Sequence, residues 1–315
     1  MVHAPAPRLL AAVLSGLMLA ACGTSSSSSS SRTGGSGGAI VAVGAENEYA
    51  NVISQIGGRY VKTSAIMSNP NTDPHTFEAS PEVAQTVSQA KIVVQNGLGY
   101  DDFMTKIESA SPSSSRKVID VQKLLGVPDS APNPHLWYKP STMPAVARAL
   151  VGDLSALEPA HAGYFRSNER RFNASLQPWL EALKTFRTRH PGTRVATTEP
   201  VSDYMLQAAG ITDVTPFSMQ ADIMNGTDPA PQAVTHQNAL LSERRVTVFV
   251  YNQQVTDTVT QNFLKAATSA AVPVVGVYET MPTPGYNYQS WMMAELQAIG
   301  RAVTDKTSTE RLGSR

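Results

Sequence analysis

The sequence predicts an α/β protein with two Rossmann-like α/β lobes, whose mostly parallel sheets are joined by one long rigid helix. Three observations support this fold class. Short apolar runs alternate with longer helical patterns over residues 39–120, the same alternation returns over residues 194–302, and a helix-rich stretch separates the two. Neighbouring parallel strands need a long connection that returns the chain to the same end of the sheet, and a helix supplies it. Strands that alternate with helices therefore indicate parallel pairing.

The first lobe, residues 39–150, is predicted to alternate strands and helices. The strands are expected at residues 39–43, 60–67, 91–95 and 117–120, and the helices at residues 48–56 and 81–90. Gly57-Gly58 ends the first helix and Asn96-Gly97 ends the third strand, because glycine and asparagine interrupt regular structure. This order indicates a parallel sheet with helices on its faces.

The second lobe, residues 192–305, repeats the pattern. Its strands are expected at residues 194–198, 211–217, 246–251 and 272–278, and its helices at residues 201–209, 231–243, 258–270 and 288–302. The run at residues 246–251 is almost entirely apolar, which is typical of a parallel strand buried on both faces. The two lobes therefore share the same general architecture.

A helix over residues 151–191 is predicted to join the lobes as a stiff strut. The residues on one face of this helix recur at spacings of three and four. They are Tyr164, Asn168, Phe172, Leu176, Leu180 and Leu183. Pro178 lies inside this pattern and is expected to kink or split the helix. Residues 306–315 form a polar tail that is expected to fray.

Residues 1–21 are predicted to be a secretory signal peptide. Arg8 precedes an apolar run, Leu9 to Ala20, that is too short to span a bilayer. The run leads into Leu19-Ala20-Ala21-Cys22, and Cys22 is the only cysteine of the chain. Cys22 is thus a candidate for a thioether-linked lipid after cleavage. The alternative is an ordinary signal peptide followed by a chance cysteine.

Residues 22–38 are almost wholly serine and glycine after Cys22, and they predict a flexible tether. The alternative is a linker of artificial origin. A tether behind a lipidated cysteine would hold the globular part outside the cytoplasmic membrane, anchored to it by lipid and not spanning it.

Composition excludes several classes of function. The 25 basic and 25 acidic residues balance, so nucleic acid is not an expected partner. With its single cysteine occupied, the chain has no disulfide, and a metal site would have to use imidazole and carboxylate groups. We expect a monomer.

Two histidines occur in unusual loops of the first lobe. His75 follows Pro74 and His135 follows Pro134, and each pair comes after a predicted strand. Proline fixes its own backbone angle, so each imidazole has a short, stiff support that suits a metal ligand. The alternative for either residue is a solvated loop histidine.

Two carboxylates occupy matching places in the second lobe. Glu199 and Glu279 come directly after apolar strands, and ligands of open α/β sheets bind at the carboxyl ends of strands. A carboxylate in such a place needs a cation beside it to stay charged. Glu199 also precedes Pro200, so the alternative is a residue that simply starts a helix.

Together these four residues predict a metal site assembled from both lobes. His75, His135, Glu199 and Glu279 would balance the charge of one divalent cation. Imidazole and carboxylate ligands suit zinc, and also manganese or ferrous iron, whereas calcium prefers oxygen ligands alone.

The chain resembles the zinc- and manganese-type solute-binding lipoproteins of ABC importers. The resemblance covers Ile40 to Val303 and is carried by Asp73-Pro74-His75, Asn96-Gly97-Leu98-Gly99-Tyr100, Pro134-His135-Leu136-Trp137, Thr198-Glu199-Pro200-Val201 and Tyr278-Glu279-Thr280-Met281-Pro282. It implies one metal held between two lobes, with His75, His135 and Glu199 at three ligand positions. Glu279 falls at the fourth, where aspartate is usual, and so carries an additional methylene.

The resemblance implies metal capture outside the membrane and delivery to an ABC permease driven by a cytoplasmic ATPase, not catalysis. Two other functions are compatible with the same residues. A zinc-dependent hydrolase would need an open coordination position, so the direction of Glu279 distinguishes it from a transport protein. A metal-stabilised surface adhesin is the other alternative.

Overall fold

The computed structural model describes residues 38–71 and 73–313, and within them the chain forms two four-stranded parallel sheets. The strand orders are β2-β1-β3-β4 and β6-β5-β7-β8. The strands are β1 (Ile40–Glu46), β2 (Val61–Met67), β3 (Ile92–Gln95), β4 (Lys117–Asp120), β5 (Arg194–Thr197), β6 (Thr212–Asp213), β7 (Val248–Asn252) and β8 (Val274–Val277). The predicted α/β class with two lobes of parallel strands is confirmed. Cys22 and the predicted signal peptide lie outside the described residues.

Helices cover the faces of both sheets. They are α1 (Asn47–Gly57), α2 (Pro81–Gln89), α3 (Asp102–Ala110), α4 (Val121–Leu125), α5 (Thr142–Leu157), α6 (Ala162–Arg189), α7 (Asp203–Ala208), α8 (Phe217–Met224), α9 (Pro231–Ser242), α10 (Thr258–Ser269) and α11 (Tyr288–Asp305). Among the residues that the structure describes, no helix combines the length and apolar character needed to cross a bilayer.

The two sheets have the same topology, and this decides where a ligand can bind. In each sheet the first strand lies between the second and the third, so the chain leaves β1 toward one edge of the sheet and leaves β3 toward the other, and the same holds for β5 and β7. The crevice at the carboxyl ends of such strands is the usual ligand site of an open α/β sheet. Gly44 near the end of β1 allows a tight turn into α1, because a Cβ there would lie 2.4 Å from the backbone nitrogen of Ala50.

The structure corrects several local predictions. The long helix is α6, and it runs through Pro178 without being split. Leu176, Trp179 and Leu183 are buried around the proline, so tertiary packing compensates for the hydrogen bond that proline cannot make. The helix-forming residues before it form a separate helix, α5, which crosses the predicted boundary at residue 150.

The predicted strand at residues 211–217 is wrong over most of its length. Only Thr212 and Asp213 pair with β5, and the chain then turns into α8 at Phe217. Asp213 ends the strand because its side chain accepts hydrogen bonds from Thr197, Thr215 and Gln220. Helix α3 also was not predicted from the sequence.

One hydrophobic core runs through both lobes and the helix between them. Its members include Val52 of the first lobe, Trp179 of α6, and Val250 and Met292 of the second lobe. The Trp179 ring lies edge-on to Tyr288 of α11, with ring centroids 6.1 Å apart. Wide opening of the lobes would expose this apolar surface to water, which is unfavourable.

Polar contacts fix the lobes further. The side-chain NH₂ of Asn47 donates to the carbonyl oxygen of Met281 (2.8 Å). The side-chain oxygen of Asn47 accepts from the backbone N–H of Met281 (2.9 Å). The Tyr288 hydroxyl donates to the carbonyl of Trp137 at 2.6 Å. These bonds join the first residue of α1 to the loop after β8, and the first residue of α11 to Trp137 of the first lobe, so the crevice between the sheets has a defined shape.

The predicted frayed tail is wrong for residues up to 313. The Thr309 backbone donates to the carbonyl of Val274 (2.8 Å) and accepts from Gly276 N–H (2.9 Å), which adds the tail to the edge of β8. The close approach requires glycine, because a Cβ on Gly276 would lie 1.8 Å from the carbonyl oxygen of Glu310. The Tyr286 hydroxyl also donates a hydrogen bond to the carbonyl of Gly313 in the tail.

A buried acid on α11 takes part in the contact between lobes. Glu295 Oε1 accepts from Trp291 Nε1 (2.7 Å), and its Oε2 lies 2.8 Å from the Tyr138 hydroxyl. The same hydroxyl lies 2.7 Å from the carbonyl of Tyr278, and one hydroxyl proton cannot serve both acceptors. A protonated Glu295 supplies the missing proton, and burial raises the pKa of Glu295 to about 8.

Replacing Glu295 with Gln should remove a pH-dependent loss of stability. The folded protein binds this proton more tightly than the unfolded chain, so the free energy of unfolding falls as pH rises from about 4.5 to about 8, by up to about 1.4 kcal/mol per pH unit. The Glu295→Gln side chain can donate to Tyr138 without titrating. Urea unfolding over this pH range measures the difference between the two proteins. Glu181→Gln, an exposed change on α6, is the control, and equal pH slopes for Glu295→Gln and the unchanged protein would contradict the assignment.

Candidate metal centre

The four predicted site residues lie in loops and turns on the carboxyl side of the strands. His75 lies in a single 3-10 turn, Pro74–Thr76, after β2, and the Asp73 carboxylate caps this turn by accepting from the His75 backbone N–H at 2.8 Å. His135 directly precedes the 3-10 turn Leu136–Tyr138. Glu199 and Glu279 each lie two residues beyond the end of a strand, β5 and β8 respectively.

Three of these residues converge closely. Ligand atoms of His75, His135 and Glu279 all lie within 4.8 Å of one another. Glu279 Oε2 is 3.2 Å from His75 Nε2 and 3.3 Å from His135 Nε2. Bonds of about 2.0–2.1 Å in a tetrahedral metal site place neighbouring ligand atoms about 3.3–3.4 Å apart. The observed spacing therefore suits a small cation between these groups.

Glu199 lies at the margin of this group. Its Oε2 is 3.9 Å from His75 Nε2 and is buried without a hydrogen-bond partner among the residues that the structure describes. Its Oε1 accepts from Asn252 Nδ2 at 3.0 Å. The structure thus aims one oxygen of Glu199 toward the site, but this residue is not part of the close set of three.

His135 is held in one tautomer. Asn133 Oδ1 accepts from the backbone N–H of His135 (3.0 Å) and lies 2.8 Å from its Nδ1, while Asn133 Nδ2 donates to the carbonyl of Pro200 (2.7 Å). These partners fix the amide orientation, so the Nδ1 of His135 carries the proton and the Nε2 of His135 has a free lone pair. That lone pair faces the Glu279 carboxylate, and two acceptors in this arrangement need a cation between them.

Burial and charge shape the protonation of the site. Burial would raise the pKa of Glu279, but its contacts with His135 and His75 outweigh burial and hold this pKa well below the usual value. Burial, together with the negative charge of Glu279, raises the pKa of Glu199. Burial lowers the pKa of His75, but contact with Glu279 more than reverses this, whereas burial lowers the pKa of His135 overall. The site therefore holds a buried carboxylate that needs positive charge beside it.

Access to the site is from one side. The His75 side chain is 22% exposed, whereas those of His135, Glu199 and Glu279 are fully buried. An ion would therefore pass beside the turn that carries His75, which is the only one of the four candidates in contact with solvent.

Two residues of the site were missed as site residues from the sequence. The Tyr100 hydroxyl donates to Glu279 Oε2 at 3.0 Å, and Asn252 Nδ2 donates to Glu279 Oε1 at 2.7 Å. Asn252 is the last residue of β7, so a polar residue at the end of a buried strand was the signal that could have identified it. Tyr100 lies in the glycine-containing segment after β3, where its side-chain direction does not follow from the sequence.

Two related proteins align with parts of the chain. The manganese-binding lipoprotein MntA of Bacillus subtilis is 27% identical over 176 residues, which cover 54% of this chain and 56% of MntA. The manganese ABC transporter substrate-binding lipoprotein PsaA of Streptococcus pneumoniae is 23% identical over 217 residues, which cover 64% of this chain and 68% of PsaA. The chain thus matches little more than half the length of MntA.

The fold matches a solved structure over nearly the whole length of that structure. A family match also covers most of the chain. The periplasmic zinc-binding protein TroA of Treponema pallidum superposes with a TM-score of 0.73 at 16% identity, over 84% of this chain and 99% of TroA. Residues 43–302 match the family described as zinc-uptake complex component A, periplasmic (ZnuA). This agrees with the resemblance found in the sequence motifs, and the chain belongs to the ZnuA family.

Proposed function

We propose that this protein captures one divalent transition metal ion outside the cytoplasmic membrane and delivers it to the permease of an ABC importer. The observation that carries the proposal is the convergence of His75, His135 and Glu279, with a buried carboxylate facing the free lone pair of His135. Family membership and the relatives named as substrate-binding lipoproteins support the same function. A monomer is sufficient for this function, because one chain supplies every proposed ligand.

The ligands are His75, His135, Glu279 and Glu199, and the cargo is zinc or manganese, with ferrous iron also compatible. Two neutral imidazoles and two carboxylates neutralise a divalent ion, which favours its transfer into a buried site. Relatives named for zinc and for manganese both support this choice of ion.

Release of the metal depends on local movement and not on wide opening of the lobes. The core that runs from Val52 through Trp179 to Met292 opposes separation of the lobes. The turn Pro74–Thr76 carries the one exposed ligand candidate, so a displacement of this turn would open the site at the lowest cost in buried surface. Contact with the permease would act on this turn.

A hydrolase is the less favoured alternative. Glu279 points into the site and lies within reach of both imidazoles, so protein groups surround the position where a catalytic zinc would hold a water. Nothing in the geometry specifically favours a surface adhesin. Metal capture without catalysis accounts for all four side chains.

Replacing either histidine with Ala should abolish tight metal binding. Loss of a residue that only supports a metal ligand typically weakens metal binding about 10–100-fold. Each of these changes removes a nitrogen ligand itself, so we expect metal affinity to fall by more than about 100-fold. Calorimetric titration with zinc and with manganese measures it on His75→Ala and His135→Ala. His236→Ala, an exposed change on α9, should bind as the unchanged protein does. Unchanged affinity in a folded His75→Ala or His135→Ala variant would refute the ligand assignment.

Removing the charge of Glu279 should weaken binding more than removing that of Glu199. Glu279 Oε2 contacts both imidazoles, whereas Glu199 Oε2 approaches only His75, at 3.9 Å. The Glu279→Gln and Glu199→Gln variants keep the side-chain volume, so the same titrations compare charge and donor alone. Equal losses, or a greater loss for Glu199→Gln, would contradict this ranking.

Membrane attachment is proposed to depend on a lipid at Cys22. Replacing Cys22 with Ser removes the thiol that would form the thioether, so the protein should move from the membrane fraction to the soluble fraction. Fractionation and intact mass measure the change, with Ser26→Ala in the same tether as the control. If Cys22→Ser fractionates with the membrane as before, the residue is not the anchor.

A further inference from the structure

Asn252 connects the two carboxylates of the candidate metal centre. Its Nδ2 donates one hydrogen to Glu199 Oε1 (3.0 Å) and the other to Glu279 Oε1 (2.7 Å). All three side chains are almost fully buried, so no bulk water competes for these bonds. A single amide therefore occupies one oxygen of each acid.

The orientation of this amide is fixed by its surroundings. Asn252 Oδ1 accepts from the backbone N–H of Gln254 at 3.0 Å, and the Asn252 backbone N–H donates to Thr198 Oγ1 at 3.0 Å. A flipped amide would place its oxygen against two carboxylates and its NH₂ group against an N–H donor. Asn252 must therefore present its NH₂ group to Glu199 and Glu279.

The remaining oxygens face the imidazoles. Glu279 Oε2 lies 3.2 Å and Glu199 Oε2 lies 3.9 Å from His75 Nε2, on the side of each carboxylate away from Asn252. Each acid can offer this oxygen to a metal without breaking a bond to Asn252. Using both oxygens of either acid would cost a charge-assisted hydrogen bond in a buried place.

We propose that Asn252 determines metal preference by holding Glu199 and Glu279 as one-oxygen ligands. Two imidazole nitrogens and two single oxygens form a four-ligand shell, which is the usual preference of zinc. Manganese favours six ligands, mostly oxygen, and would gain from carboxylates that bind through both oxygens. Asn252 thus favours zinc over manganese. This inference rests on the proposed function, because it takes these acids to be metal ligands.

The test compares zinc and manganese affinities of the purified protein with those of Asn252→Ala. Freed carboxylates can bind through both oxygens, so the ratio of zinc affinity to manganese affinity should fall by about tenfold or more, the equivalent of one charge-assisted hydrogen bond. Asn225→Ala, an exposed change after α8, is the matched control and should leave the ratio unchanged.

A merely structural role for Asn252 predicts equal losses for both metals, and an unchanged ratio in Asn252→Ala would overturn the proposal. X-ray absorption on the unchanged protein gives an answer that does not depend on variant folding. Four nitrogen or oxygen neighbours around zinc are expected, and five or more would overturn the proposal. Failure of the unchanged protein to bind either metal would refute the proposed function itself, which is a different result.

Discussion

The buried carboxylate of Glu279 is the constraint on which the rest of the site depends. A charge removed from water is tolerated only when cations or hydrogen-bond donors surround it, and this oxygen pair has contacts with His75, His135, Tyr100 and Asn252. Three of these partners come from the first lobe and one from the second. Neither lobe could stabilise the charge alone, so the position of one sheet relative to the other is part of the site's chemistry.

The connections between lobes supply that relative position. Asn133 orients His135 and also donates to the carbonyl of Pro200, directly after Glu199, so one side chain couples a loop of each lobe. Asn47 does the same for the loop that follows Glu279. Because these bonds join the two lobes next to His135, Glu199 and Glu279, the geometry of the donors is set before any ion arrives.

Much of the fold could be predicted from the sequence, because its main elements have strong local signals. The apolar strands β1, β3 and β7 and the helices α9, α10 and α11 lie close to their predicted positions. Predictions failed where long-range contacts decide the outcome. Pro178 is tolerated because its neighbours are buried, and residues 211–217 form only a short strand because Asp213 accepts hydrogen bonds from Thr197 at the end of β5 and from Gln220 of α8.

For the candidate site as well, local features could be predicted and features that depend on long-range packing could not. Histidines after proline and acids at strand ends indicated four side chains, and the structure brings ligand atoms of three of them within 4.8 Å of one another, with Glu199 at the margin. The sequence could not show that Glu279 would lie closer to the imidazoles than Glu199 does, since this depends on how the two lobes pack. It also could not show Asn252 as a shared donor, because an asparagine at a strand end has many other uses.

The tail that pairs with β8 has a consequence for association between molecules. An outer strand with unpaired backbone groups is a template for another chain, and here residues 307–309 cover part of that edge through Thr309. Gly276 permits the close approach that makes the cover possible. Detaching this short segment would leave the edge of the second sheet open to strand addition, so a few polar residues of the tail protect this edge from pairing with another chain.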